Sequence, residues 1–122
     1  MAETEPSVLD LRTPRQWEHW LERNHDAASE VWLRLINKNA PETGMSYGEA
    51  VEIALCFGWI DSLTRKYDAV SRVQRFSPRR PRSPWSKSNI ERAQRLLDAG
   101  RMREPGQRQI EAAKADGRWQ AG

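Results

Sequence analysis

Asp61 is the carboxylate in this chain with the clearest chemical options. It follows Gly58-Trp59-Ile60 where a strand is expected to begin. Strand alternation places its side chain on the same face as Trp59. If that face is internal the carboxylate needs a partner, because burying it alone costs several kcal/mol. Arg65, four residues on and on the same face, is one candidate, and Arg75 on the next expected strand is another. Two readings stay open. Asp61 could form a buried Asp–Arg pair that fixes the hairpin. It could instead be a site carboxylate, held by arginine, that binds ligand or moves a proton as acid or base.

The run Phe76-Ser77-Pro78-Arg79-Arg80-Pro81-Arg82-Ser83-Pro84-Trp85-Ser86 is the second feature. Arginine is suited to planar, bidentate recognition of carboxylate or phosphate, and tryptophan offers a face for stacking. Arg79, Arg80 and Trp85 could wrap an anionic or aromatic ligand. Equally, the run could be a solvated basic loop whose Trp85 plugs the core. Ser86 and Asn89 can cap the helix that follows, and the same helix start carries free N–H groups that suit an anion. Ser-Pro-Arg-Arg also has a short likeness to basic motifs of the DNA minor groove.

Charge is concentrated in the same region. Residues 1–58 hold 5 Lys/Arg and 10 Asp/Glu, whereas residues 59–103 hold 12 and 4. That asymmetry points to an anionic ligand or partner, or to a basic half facing an acidic half. The overall net charge of only +3 counts against nucleic acid. There is no Gly-rich phosphate loop and no nucleophile elbow. His19 and His25 lack ligand spacing, so neither a metal nor a cofactor is expected. Cys56 lies in an apolar run and reads as a small buried hydrophobe. The polar N-terminus and the lack of a long apolar stretch imply no signal peptide and no membrane span, and hence a cytoplasmic protein.

These residues need elements to hold them. The 122 residues fit one domain, with 1–11 as a loose lead-in. Thr13-Pro14-Arg15-Gln16 reads as a capped helix start, and Trp17, Trp20 and Leu21 form its apolar stripe to about Asn24. Glu30–Asn37 reads as a strand, with Val31, Leu33 and Leu35 on one face and Trp32, Arg34 and Ile36 on the other. Ser46-Tyr47-Gly48-Glu49 opens a buried helix that Gly58 ends. Trp59–Tyr67 and Arg72–Ser77 form a hairpin, with Trp59, Asp61, Leu63, Arg65 and Tyr67 on one face. Pro78–Trp85 is a loop, because proline prevents ladder pairing. A third helix starts at Ser86 or Ser88 and ends at Gly100, and a fourth runs from Pro105 to about Asp116. The order α-β-α-β-β-α-α gives an α+β domain, with about three antiparallel strands and about four helices.

Several of these motifs together resemble the YdeI/OmpD-associated family of bacterial proteins, often labelled bacteriocin-protection proteins. The residues are Trp17-x-x-Trp20-Leu21, Glu30-Val31-Trp32-Leu33, Ser46-Tyr47-x-Glu49-Ala50-Val51, Ala54-Leu55-Cys56-Phe57-Gly58-Trp59-Ile60-Asp61-Ser62, Arg75-Phe76-Ser77-Pro78-Arg79-Arg80, Ser83-x-Trp85-Ser86-x-x-Asn89, Gly100-Arg101-Met102 and Ala113-Lys114-x-Asp116-Gly117-Arg118-Trp119. The resemblance implies a cytoplasmic protein linked to antimicrobial-peptide tolerance, and it implies no particular reaction. Family members continue past the Asp-Gly-Arg-Trp stretch, so this chain resembles a short or C-terminally trimmed member, with apolar surface left for a protein partner.

The expectation is a domain that binds a small or anionic ligand in stress or antimicrobial tolerance. Its pocket would be formed by Trp59, Asp61, Arg65, Arg75, Arg79, Arg80, Trp85, Ser86 and Asn89. The alternatives are a cofactor-independent enzyme using Asp61, and nucleic-acid binding through the basic 65–103 segment.

Overall fold

Capping chemistry sets the helix starts. In the computed structural model, which describes residues 8–119, the first helix, α1 (Pro14–Asn24), is closed by a reciprocal box between Thr13 and Gln16. The second, α2 (Tyr47–Cys56), is closed by the same device between Ser46 and Glu49. The third, α3 (Lys87–Asp98), is capped by Ser86, whose Oγ accepts from the Asn89 N–H at 3.1 Å. This settles the two readings of that start in favour of Ser86. The last, α4 (Glu104–Ala115), has Pro105 in its first turn and no side-chain cap.

Four strands form one mixed sheet in the order β1-β2-β4-β3: β1 (Val8–Leu9), β2 (Val31–Ile36), β3 (Trp59–Asp68) and β4 (Ser71–Pro78). The α+β class stands, but the strand count and order are corrected. Val8 and Leu9, read as lead-in, pair in parallel with Trp32 and Leu33. The rest of that lead-in, residues 1–7, lies outside the described residues. Two residues are too few to show any periodicity, and Leu9 is held by packing on the core.

The pairing of β4 with β2 and β3 defines two faces. Val31, Leu33, Phe76 and Trp59 share the face covered by α1 and α2, which is the core. Trp17 is fully buried there, and its indole N–H donates to the Ala50 carbonyl at 3.0 Å. Trp32, Arg34, Val73 and Arg75 occupy the opposite face.

The β3–β4 ladder slips between Asp61 and Thr64. Asp61 pairs with Phe76, whereas Thr64 pairs with Gln74 and Arg65 with Val73. One extra residue in a strand reverses every side chain beyond it. Asp61 therefore projects on the core side and Arg65 on the other, which corrects the expectation that they share a face.

Candidate functional site

The residues expected to converge on one pocket divide into separate groups. Trp59 is a core residue, 1 % exposed. It meets Trp20 edge to face, and its indole N–H donates to the His25 carbonyl at 3.3 Å. Arg65 lies over the Trp32 ring at 4.8 Å on the outer sheet face. Asn89 is buried in the first turn of α3, where its Oδ1 accepts from Arg92 at 3.1 Å. Ser86 serves as the helix cap.

Asp61 pairs with neither Arg65 nor Arg75. Its partner is Tyr47, at the start of α2, whose hydroxyl donates to the carboxylate at 2.6 Å. Burial and this bond push the Tyr47 phenol up to about 12, so it remains a donor at any ordinary pH. Arg75 instead donates through Nε to Glu30 at 2.5 Å and through Nη1 to Ser62 at 3.3 Å.

Arg75 and Arg80 do share a hollow. A cleft of about 340 Å³ lies where β3 begins and β4 ends, lined by Ser29, Ile60, Ser62, Arg75, Ser77, Pro78, Arg80 and Ser83. Ile60 pairs with Ser77, so both belong to the outer sheet face with Arg75. The lining holds four hydroxyls and two guanidinium groups. Arg80 is exposed, with no ion pair among the described residues. Hydroxyls and guanidinium groups both donate readily to oxyanions. The serines were not singled out in the sequence. Ser62 and Ser77 could have been found as polar residues on the outward side of a hairpin, but nothing local marks Ser29.

Arg79 and Trp85 form a third group. Arg79 is 4 % exposed and lies 3.7 Å from the centre of the Trp85 ring. Its Nη1 donates to Ser83 Oγ at 2.9 Å and to the Pro84 carbonyl at 3.2 Å. Arg118 donates to the Ser83 carbonyl at 2.7 Å, and Trp119 meets Trp85 edge to face. Burial, with Arg118 adding to it and Asp61 opposing, lowers Arg79 to about 10. It is still a cation at neutral pH.

Among the described residues, no group of three or more His, Cys, Asp or Glu could hold a metal ion. No helix there is long and apolar enough to cross a membrane. Fold and side chains together define a small α+β domain with a serine–arginine cleft on the sheet side opposite the core. The chain belongs to the family described as Domain of unknown function (DUF8412), whose model matches residues 9–109. No curated protein and no solved structure matches it.

Proposed function

We propose that this is an anionic-ligand-binding domain whose site is the serine–arginine cleft. The carrying observation is that Arg75, Arg80 and the hydroxyls of Ser29, Ser62, Ser77 and Ser83 line one hollow. Glu30 offsets the charge of Arg75, which leaves Arg80 as the attracting cation and the hydroxyls as the orienting donors. That balance suits a small ligand bearing phosphate or carboxylate better than a polyanion, for which a broad unpaired basic surface would be expected. Asp61 points away from the cleft and is held by Tyr47, so acid–base catalysis draws less support than binding. The resemblance to the YdeI/OmpD-associated family supplies the biological setting, tolerance of antimicrobial peptides.

Titration of the full chain with inorganic phosphate, followed by amide NMR, tests this reading. Resonances of Ser62, Ser77 and Ser83 should move together, and Arg80→Ala should weaken binding about tenfold, as expected for loss of a charge-assisted contact. If phosphate and acetate both leave those resonances in place, the cleft is not an anion site.

A further inference from the structure

Three buried donors on two stacked side chains have no acceptor among the described residues. Arg79 Nε, Arg79 Nη2 and Trp85 Nε1 are each buried and make no hydrogen bond among the described residues. The pairing within the guanidinium is selective. Nη1 is satisfied by Ser83 and Pro84. Nε and Nη2 form the parallel edge with which arginine grips a carboxylate or phosphate through two bonds at once. It is this edge that is left over.

Buried polar groups in folded proteins nearly always find partners, and a buried cation without one is more costly still. Arg79 has no ion pair among the described residues, and its nearest charged influences are Arg118, which repels, and Asp61, which is engaged by Tyr47. Stacking on Trp85 holds the guanidinium plane fixed, so the free edge is pre-oriented. Residues 79–86 have no regular structure, and Arg82 adopts a positive φ of 66°. The Ser83 and Trp85 end of this segment is held from outside by Arg118 and Trp119.

We propose that the Nε/Nη2 edge of Arg79 is a receptor for one oxyanion, a carboxylate or phosphate group. Trp85 Nε1, on the ring that carries the guanidinium, is a further unpaired donor. This site is distinct from the cleft and stands on a different observation. The two adjoin at Ser83, which lines the cleft and bonds Arg79.

The test is the Arg79 Nε–H signal in arginine-edited NMR of the full chain, identified by its proximity to the Trp85 ring and by its absence in Arg79→Lys. Inorganic phosphate and acetate are added separately, with sodium chloride at matched ionic strength as control. Binding should shift this signal and slow its exchange with water about tenfold, the effect of one good hydrogen bond. Chloride should do neither. A response to phosphate alone assigns a phosphate-bearing ligand, and a response to acetate assigns a carboxylate. Arg80→Ala should leave the response intact, which separates this site from the cleft. An Arg79 signal unmoved by both anions would overturn the proposal, since the edge would then be satisfied by water or by Asp61.

Discussion

Arg79 brings an unmatched cation into the interior, and that should show in stability. Replacing even a buried ion pair with apolar side chains of similar volume is often neutral or stabilising by about 1–4 kcal/mol, and an unpaired cation has no Coulombic gain to offset its desolvation. Arg79→Met keeps an apolar contact for the Trp85 ring while removing the unmet donors. It should raise the thermal midpoint of the ligand-free protein while abolishing the anion response. Unfolding followed by circular dichroism checks this, and a lowered midpoint would show that the bonds to Ser83 and Pro84 outweigh the buried charge. Residue types at this site were legible in the sequence; their partners were not. Arg75 and Arg80 could be picked out as anion ligands, yet Trp59 was expected beside them and lies in the core. Asp61 could be singled out, but Tyr47 could not be foreseen as its partner, because the two meet only when α2 packs beside β3. Which edge of Arg79 stays unpaired depends on where the Ser83 and Pro84 oxygens fall, and no spacing rule gives that.

The elements with repeated local signals were the readable ones. Thr13, Ser46 and Ser86 announce helix starts by short-range capping, and Gly58 and Gly100 end helices at φ of 76° and 72°. The outer face of β2 was less readable at Arg34, which is charged by type and buried in fact. Arg34, 8 % exposed, is enclosed by contacts from outside its own strand. Its Nε donates to Ser71 Oγ at 2.9 Å, Nη2 to Asp68 at 3.2 Å and Nη1 to Asp10 at 3.4 Å, with the Tyr67 ring 5.7 Å away. This cluster ties β1, β2 and the hairpin together, so the sheet should be acid-sensitive. Bonds from Ser71, the Val70 N–H and Arg34 hold Asp68 below its ordinary 3.8, and Arg12 then Arg34 do the same for Asp10. Both folded-state values are lowered. The stability they add is therefore fully present above 3.8 and is lost as pH falls through the lower folded values. Below that range Arg34 is left buried beside neutral partners. Thermal midpoints should accordingly fall on acidification, and Asp68→Asn should flatten that acid limb. An acid limb as steep in Asp68→Asn as in the parent would place the sensitivity elsewhere.

Across the whole molecule, α4 approaches the end of α2 closely at a glycine. Gly106 is buried in the first turn of α4, where an added Cβ would lie 2.5 Å from the Leu55 carbonyl and 2.6 Å from that of Cys56. Backbone oxygens cannot swing aside as a side chain could. Around this contact, the Arg103 N–H donates to the Cys56 carbonyl at 3.2 Å, and the Arg103 guanidinium bridges Glu18 and Glu22 of α1 while lying over Phe57. Through these bonds α4 seals the end of α2, and it carries the chain on to Arg118 and Trp119 over the arginine-rich loop. Gly106→Ala should push α4 off its seat and cost about 1–3 kcal/mol, as overpacking does. Gly48, also in the first turn of a helix, has nothing within 4 Å of its added Cβ, so Gly48→Ala should stabilise by up to about 1 kcal/mol through helix propensity. Cys56 supplies an independent readout, because burial pushes its thiol up to about 11 and keeps it unreactive in the closed protein. Thiol-labelling under native conditions should be many times faster in Gly106→Ala than in the parent and no faster in Gly48→Ala. Equal labelling rates and equal midpoints in the two variants would mean that α4 does not close over the end of α2 in solution.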